Sequence, residues 1–332
     1  MPTGSGSEPY ATPVTGLPAP TPAFVGRYAV RELIGSGGMA DVYLATDTQL
    51  GRDVAVKVFR AEHDTPADRL RREREIQLLG ELNHLGLVAI YDAGFLPPEQ
   101  ASRRFIVMEL VRGRAMSHRL GAGAMPERQV ADIGAQVADA LAYVHGRQVV
   151  HRDIKPENIL LSDDPAYGYS LTVKLADFGV AQFMDGTRLT GDGSIMGTAA
   201  YIAPEQARGA EAEPASDVYA LGLVLLEALR GEREYTGTPI EAALARLHRA
   251  PTIPDELSDE WRELLEAMTS DEPSARPTAH DVAATLRDLI RSRITEGRGK
   301  RSRGERAARR RSAREASGRR GGSFWTFRGR RD

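Results

Sequence analysis

The chain has 332 residues, of which 41% are apolar and 27% are charged, and none is cysteine. This composition is that of a globular protein with a large core, and it excludes a wholly disordered chain, a collagen-like chain and a coiled coil. The absence of cysteine excludes disulfides, thiolate metal sites and cysteine nucleophiles, and the net charge of −2 does not by itself suggest an anionic partner.

The predicted elements run from strands to helices, which indicates an α+β fold. Residues 1–24 are rich in Pro, Gly, Ser and Thr and are expected to form a flexible leader. β-rich runs predict strands at Tyr28–Ile34, Ala40–Ala45, Asp53–Val58, Val88–Ala93 and Phe105–Leu110. Helical periodicity predicts helices at Pro66–Leu82, Pro126–His145, Asp217–Arg230, Ile240–Arg249, Asp259–Met268 and Thr278–Arg291. Ser216 or Asp217 is expected to cap the helix that starts there, and Thr278 the last one.

Charge is unevenly distributed along the chain. Residues 291–332 hold 16 of the 44 basic and 4 of the 46 acidic residues, so this segment carries +12 and the remainder −14. With few apolar residues, the segment is expected to be a disordered basic tail. Two interpretations stay open: a solvated linker, or a segment that binds nucleic acid, an acidic protein or a lipid surface. The short run Phe324–Phe327 is a candidate for docking in a groove.

The first candidate motif is the run Gly35-Ser-Gly-Gly-Met-Ala-Asp-Val42, between two predicted strands. Glycines there allow backbone N–H groups to approach a phosphate. Taken alone, the run is explained more simply as an ordinary glycine-rich hairpin.

The second candidate motif is Lys57, at the end of the predicted strand Val54-Ala-Val-Lys57. Its apolar neighbours would bury the ammonium group unless an anion accepts it. The following predicted helix offers Glu73 and Glu75 as partners. Glu75 is preferred because it shares a helical stripe with the leucines of that helix, whereas Glu73 is expected to be solvated.

The strongest motif is the run from Val150 to Leu161, which places Asp153, Lys155 and Asn158 close together between apolar residues. Such a run suits a rigid catalytic loop. Asp177 then ends a β-rich run just before Phe-Gly. Asparagine and aspartate oxygens are ligands that Mg²⁺ accepts.

Five motifs occur in an order that is typical of one family. They are the glycine run 35–42, Val-Ala-Val-Lys57, His151-Arg-Asp153 with Asn158, Asp177-Phe-Gly179 and Ala203-Pro-Glu205. Over about residues 28–290 the sequence closely resembles the protein kinase superfamily, specifically the bacterial eukaryotic-like Ser/Thr kinases. The resemblance implies a bilobal α+β kinase domain over residues 25–290. Its small β-rich N-lobe would carry one main helix and cover about residues 25–110, and the larger helical C-lobe would cover about 111–290.

The resemblance also implies catalytic roles. Asp153 would orient the substrate hydroxyl and accept its proton, and Lys155 would stabilise the γ-phosphate of ATP. Asn158, in the same catalytic loop, and Asp177 would hold Mg²⁺, with Mn²⁺ as the alternative. The lysine in Asp-Ile-Lys-Pro-Glu-Asn resembles that of Ser/Thr rather than Tyr kinases.

The remaining implied contacts are with ATP. The glycines Gly35, Gly37 and Gly38 would cover its phosphates, and Lys57, held by Glu75, would bind the α- and β-phosphates. The adenine contacts would come from Ile34, Val42, Ala55 and Leu160 around the ring, Met108 as gatekeeper, and the backbone of Glu109 to Val111. As an alternative, Ile34, Val42 and Leu160 are simply core residues.

Regulation is expected in residues 180–202, the activation segment that the resemblance implies. Arg152, which precedes the catalytic aspartate, is typical of kinases whose segment is ordered by an added phosphate. Thr190 is the preferred autophosphorylation site over Thr187 and Ser194; the alternative is that it is an unmodified loop residue. Autophosphorylation in trans would involve dimerisation.

The resemblance also implies two structural roles for single residues, a function for the whole domain, and one alternative to that function. Glu205 is expected to pair with a buried Arg276, and Asp217 to anchor the catalytic loop. The implied function is a signalling Ser/Thr protein kinase that acts on proteins. The alternative is a pseudokinase scaffold, which the presence of Lys57 and the other implied catalytic residues disfavours.

No run reaches the about 20 apolar residues of a membrane helix, and the start lacks the pattern of a secretory signal. A cytoplasmic location is therefore expected.

Overall fold

The computed structural model describes residues 27–38, 40–60, 79–96, 103–162, 171–177 and 200–292. Contacts within the chain divide it into two units. Unit 1 is Met1–Glu81 with Ala89–Leu110, and unit 2 is Leu82–Val88 with Val111–Asp332.

Unit 1 contains a five-stranded antiparallel sheet in the order β1-β2-β3-β5-β4. Its strands are β1 Tyr28–Ser36, β2 Ala40–Asp47, β3 Arg52–Phe59, β4 Ile90–Phe95 and β5 Arg104–Glu109. All five predicted strands are confirmed, most of them with one or two further residues at an end. The fourth begins two residues later than predicted, because the Val88 N–H donates to the carbonyl of Leu175 in unit 2.

The two faces of β3 differ in what they contact. Val54, Val56 and Val58 are buried in an apolar cluster that includes Tyr28 and Phe105. Since side chains alternate along a strand, Ala55, Lys57 and Phe59 point to the opposite face. The alternation therefore keeps the lysine out of this cluster.

Unit 2 is mainly helical. Its elements are β6 Arg114–Ala115, α1 Met116–Leu120, α2 Glu127–His145, β7 Ile159–Ser162, β8 Thr172–Leu175, α3 Pro204–Ala207, α4 Pro214–Arg230, α5 Pro239–His248, α6 Asp259–Met268 and a helix over residues 279–292, α7. Short 3₁₀ turns occur at Pro156–Asn158 and Pro273–Ala275. The predicted helices of this unit are confirmed to within three residues at each end, whereas β6, α1 and α3 were not predicted. Residues 79–80 are helical, but the rest of the predicted helix Pro66–Leu82 lies largely outside the described residues.

The centre of unit 2 is α4, in which every residue from Ser216 to Ala228 is buried. A helix that is buried on all sides needs neighbours around it, and α2 and α6 both pack against α4. Gly134 of α2 permits the close approach on that side. A Cβ built there would lie 2.9 Å from side-chain atoms of both Leu225 and Leu286.

The observed starts of α4 and α7 test the two predicted N-caps. The expectation that Ser216 or Asp217 caps α4 is wrong, because the helix already begins at Pro214 with Glu213 as its N-cap. Proline is favoured in the first turn, where its missing N–H costs no hydrogen bond. Thr278 is confirmed as the cap of α7: its hydroxyl accepts from the Asp281 N–H at 3.2 Å.

A small antiparallel sheet, β6-β7-β8, carries the backbone around the catalytic motifs. It places the end of β8, next to Asp177, beside the start of β7, next to Asn158: Ile159 pairs with Leu175. Among the described residues, no helix has the length and apolar character that crossing a membrane would take.

Candidate active site

In unit 1, the glycine run forms the connection between β1 and β2. Gly35 pairs with Val42, and the Gly37 N–H closes the turn on the Ala40 carbonyl at 3.0 Å. A Cβ added at Gly35, Gly37 or Gly38 would come no closer than 3.7 Å to the atoms around it. The space beside the glycines is therefore open, as a phosphate held by backbone N–H groups requires.

Lys57 lies on β3, the central strand of the same sheet, where it pairs with Val42 on β2 and Ile106 on β5. Its side chain is half-buried, and its ammonium lies 5.6 Å from the centre of the Phe59 ring. The preferred partner, Glu75, lies outside the described residues, and so does Glu73. The ion pair with Glu75 therefore stays a prediction.

The residues proposed to surround adenine in unit 1 follow one another across the sheet. Ala55 of β3 pairs with Met108 of β5, and Val42 of β2 pairs with Lys57 of β3. Ala55 is buried, Val42 and Met108 are half-buried, and Ile34 is 46% exposed. Ile34 and Val42 are therefore not core residues of the described structure, which leaves apolar surface available to a flat ring.

At the end of β5, the backbone N–H of Glu109 already donates a hydrogen bond within the protein. The Glu109 N–H donates to the Ala89 carbonyl at 2.8 Å, and the Glu109 carboxylate accepts from the Ala89 N–H. The Glu109 N–H is therefore engaged within unit 1. In unit 2, within the described part of the chain, the Val111 N–H donates to no protein acceptor.

In unit 2, Asp217 holds the start of the catalytic loop. Its Oδ2 accepts from the His151 N–H and its Oδ1 from the Arg152 N–H, both at 2.8 Å. His145 at the end of α2 adds a third contact, Nε2 to Oδ2, also at 2.8 Å. The expected anchoring role of Asp217 is confirmed. The contribution of His145 was missed, and nothing in the local sequence signals it, because α2 and α4 are far apart in the chain.

His151 fastens the same loop to the segment that leads into Asp177. It is fully buried, and its Nε2 lies 3.0 Å from the Ala176 carbonyl. Burial lowers the pKa of His151, so the ring is neutral at pH 7 and Nε2 acts as the donor. The Ala176 N–H in turn donates to the Asn158 carbonyl at 2.8 Å.

Asp153, Lys155 and Asn158 converge on one carboxylate. The Lys155 ammonium is 2.8 Å from Asp153 Oδ2, and Asn158 Nδ2 donates to the same oxygen at 2.9 Å. Asn158 Nδ2 also donates to the Asp153 backbone carbonyl at 2.8 Å. The lysine and aspartate side chains are 18% and 14% exposed, so the group is shielded yet reachable.

The orientation of Asn158 decides what it offers a metal ion. Both neighbours at Nδ2 are oxygen acceptors, so the atom facing them is the nitrogen. The amide oxygen Oδ1 is therefore left as an acceptor. Asp177 follows β8, which pairs with the strand β7 that begins directly after Asn158, and its backbone φ of 55° is in the left-handed region.

The donor set fits Mg²⁺ in the form that this ion usually takes. Mg²⁺ binds proteins through one or two oxygen ligands and takes its other ligands from phosphates and water. Among the described residues, no group of three His, Cys, Asp or Glu side chains forms a complete metal site. Asn158 and Asp177 would hold the ion together with the phosphates of ATP.

Strained backbone marks the same loop. Arg152 and Asp177 have positive φ values of 69° and 55°, a conformation that costs a residue other than glycine of the order of 1–3 kcal/mol. Such strain persists only where the surroundings enforce it, here the hydrogen bonds of Asp217 and His151. Leu160, between these residues, is half-buried on β7 opposite Lys174.

The expected pair of Glu205 and Arg276 is confirmed. Arg276 Nη1 and Nη2 donate to the two carboxylate oxygens at 2.7 and 2.8 Å, and the Ser216 hydroxyl donates to Oε1. Burial alone would raise the pKa of Glu205, but the hydrogen bonds from Arg276 and Ser216 lower it below its usual value. The pair has a structural role, since it joins α3 to the start of α4 and to the turn before α7.

The regulatory candidates are only partly described. Arg152 is half-buried and lines a recess with Asp153 and Tyr201. Thr190, Thr187 and Ser194 lie outside the described residues. The phosphorylation site therefore stays a prediction.

Comparisons with known proteins cover the same part of the chain. A family model described as "Protein kinase domain" matches residues 28–286. The chain is 38% identical to serine/threonine-protein kinase PknB of Mycobacterium leprae over 271 residues, and 39% identical to serine/threonine-protein kinase PknA of Mycobacterium tuberculosis over 269. These alignments cover 80% and 78% of this chain but 43% and 61% of the relatives. The chain therefore spans only about half the length of these curated relatives.

A third relative and a solved structure agree with this. Serine/threonine-protein kinase PrkC of Bacillus subtilis is 36% identical over 273 residues, which are 79% of this chain and 40% of PrkC. The crystal structure of the Mycobacterium tuberculosis PknI kinase domain matches with a TM-score of 0.61 and 24% identity, covering 80% of this chain and 96% of that one. At that identity the likeness concerns the fold alone, and it confirms the predicted α+β kinase fold.

Proposed function

The chain belongs to the protein kinase family, as its motifs predicted, and on that premise we propose that it transfers the γ-phosphoryl group of ATP to Ser and Thr hydroxyls of proteins. The observation that carries the proposal is the convergence of Lys155 and Asn158 on the carboxylate of Asp153. These three side chains belong to one loop whose backbone Asp217 and His151 hold.

Asp153 is the group that orients the substrate hydroxyl and accepts its proton as the hydroxyl oxygen bonds to the γ-phosphorus and the bond from that phosphorus to ADP breaks. The Lys155 ammonium pairs with that carboxylate and is assigned to stabilise the γ-phosphate. Asn158 holds Asp153 through Nδ2 and offers Oδ1 to the metal, so one amide links the base to the ion site. When bound, Mg²⁺ or Mn²⁺ neutralises charge on the phosphoryl group that is transferred.

ATP contacts are assigned to both units. In unit 1, Gly35, Gly37 and Gly38 cover the phosphates, Lys57 with Glu75 binds the α- and β-phosphates, and Ile34, Val42, Ala55, Met108 and the Glu109 carbonyl contact adenine. In unit 2, Leu160 contacts the ring, the Val111 N–H donates to its edge, and Asp177 joins Asn158 in holding the metal. The open space beside the glycines and the exposed apolar surface of Ile34 support these assignments.

The remaining assignments belong to the same proposal. The kinase domain covers residues 25–290, after a leader at 1–24 and before the basic tail at 291–332. Phosphorylation of Thr190 activates the enzyme through Arg152, in trans within a transient dimer. The reaction draws on cytoplasmic ATP, so the domain acts in the cytoplasm. Its substrates are proteins, and the tail contacts an anionic partner such as nucleic acid, acidic protein or lipid.

The test is a [γ-³²P]ATP transfer assay with Asp153→Asn as the matched variant. Asparagine keeps the size of the side chain and removes the proton acceptor, so kcat is expected to fall about 10²- to 10⁴-fold. The proposal would be contradicted if the wild type and Asp153→Asn transferred label to protein equally and did so without Mg²⁺. ATP binding without any transfer would instead show a pseudokinase scaffold.

A further inference from the structure

Arg233, in the loop after α4, lies between two carboxylates beside the catalytic loop. Its Nη2 is 3.5 Å from Glu157 Oε1, and its Nε is 3.6 Å from Glu227 Oε1. Glu157 belongs to the same 3₁₀ turn as Asn158, and Glu227 lies near the end of α4. We call Glu157 and Glu227 the acidic pair. A cation of the chain itself thus bridges two acids that come from different elements.

The acidic pair adjoins the place where a substrate hydroxyl is expected. The Tyr201 hydroxyl donates to Glu227, and the Arg233 guanidinium lies 5.7 Å from the Tyr201 ring. Tyr201 also lines one recess together with Arg152 and Asp153. A peptide advances about 3.3 Å per residue when extended, so residues close to a phosphoacceptor at Asp153 reach this surface.

The charged side chains of Arg233 and the acidic pair differ in how deeply they are buried. The Glu227 side chain is 10% exposed, whereas those of Glu157 and Arg233 are 44% and 47% exposed. Burial raises the pKa of Glu227, and Arg233 opposes that rise. Burial would lower the pKa of Arg233, but Tyr201 and the acidic pair outweigh it and raise the pKa. Arg233 is therefore a permanent cation at this position.

We propose that Arg233 is a specificity-determining residue, which occupies from within the chain the place that an arginine or lysine of a protein substrate would take between Glu157 and Glu227. The enzyme consequently does not select basic residues at the substrate position that reaches this surface. The inference rests on the proposed function, since it places the acceptor hydroxyl at Asp153.

The experiment compares three variants with the wild type. Arg233→Met removes the charge and keeps a long side chain, and Arg233→Lys keeps the charge. Arg208→Met is the matched control, because Arg208 is 46% exposed and pairs with Asp271 elsewhere in unit 2. Each protein is assayed with Mg-ATP on a neutral peptide with one serine, and on a set in which a single arginine is placed at each position around that serine.

The quantity measured is the ratio of kcat/KM for each arginine peptide to kcat/KM for the neutral peptide. Arg233→Met is expected to raise this ratio about fivefold at one position or two adjacent ones, which corresponds to about 1 kcal/mol. The rise should shrink with added salt, because the contact is partly exposed. Arg233→Lys and Arg208→Met should keep the wild-type ratio.

Three outcomes would overturn the inference. A ratio unchanged at every position in Arg233→Met, with the neutral peptide phosphorylated, overturns it and leaves the proposed function standing. An equal rise in Arg208→Met overturns it as well, because the effect would then follow net charge. A wild type that phosphorylates no peptide or protein overturns the proposed function and the inference with it. If thermal unfolding shows that Arg233→Met does not fold, Arg233→Gln replaces it under the same criteria.

Discussion

Asp217→Asn is the substitution that isolates the anchor of the catalytic loop. Asp217 is 1% exposed, and its carboxylate accepts from three donors, the His151 N–H, the Arg152 N–H and His145 Nε2. An amide of the same size has one acceptor oxygen. Placed at the Oδ2 position, that oxygen still meets His151 and His145, and the new NH₂ group then faces the Arg152 N–H.

The smallest expected cost follows from the Arg152 N–H, which loses its acceptor and faces the new NH₂ group. A buried donor without an acceptor costs about 1–3 kcal/mol, against a total stability of about 5–15 kcal/mol. Because Arg152 is held at a φ of 69°, the loss also frees it to relax and to displace Asp153. A fall in kcat of about tenfold or more is therefore expected beside the loss of stability.

Urea unfolding followed by circular dichroism measures the stability of Asp217→Asn, and peptide phosphorylation measures kcat. With an m-value of about 3 kcal/mol/M, the midpoint should move down by about 0.3–1 M. Asp271→Asn is the control, since it changes an exposed carboxylate that pairs with Arg208 at the surface. A shift no larger than that of Asp271→Asn, together with unchanged kcat, would show that Asp217 does not anchor the catalytic loop.

Three further predictions concern the pair at Glu205, the packing of α2 and the activation segment. The pKa of Glu205 is lower in the folded protein than in the unfolded chain, where it is about 4.3. The pairing of Glu205 therefore contributes its full stability above that pH, and this contribution is lost as the pH falls through the folded pKa. Acid titration of unfolding below about pH 4.5 should therefore be shallower in Glu205→Gln than in the wild type. Gly134→Ala should lower the free energy of unfolding by about 1–2 kcal/mol, because overpacking against two buried leucines outweighs the helix propensity gained. Thr190→Ala should lower the activity towards peptides, whereas Thr187→Ala should not.

Each of these has a contrary result. Parallel pH profiles for Glu205→Gln and wild type would show that the pair adds no acid-sensitive stability. A more stable Gly134→Ala would mean that the two leucines repack freely. Full activity of an unphosphorylated Thr190→Ala would remove the assignment of the regulatory threonine.

The sequence was most informative where chemistry depends on neighbours in the chain. Asp153, Lys155 and Asn158 lie within six positions, so one loop brings them together, and the structure shows them on one carboxylate. The strands of unit 1 were equally predictable, because alternation along β3 puts its valines and Lys57 on opposite faces. The start of α4 was predicted wrongly, since an apparent cap at Ser216 concealed an earlier start at Pro214.

The family was recognisable from the sequence through the resemblance of its five ordered motifs, which also pointed to the residues of the catalytic loop. The α+β order of elements followed from local periodicity. Which distant groups meet these residues follows from the tertiary structure alone. His145 reaches Asp217 across 72 positions, and Arg233 reaches Glu157 from the far end of α4. Such contacts arise from how helices pack around the buried α4. The periodicity of a helix shows which of its faces is buried, but not which distant residues that face contacts. The strained backbone at Arg152 and Asp177 is of the same kind, since it exists only because surrounding hydrogen bonds enforce it.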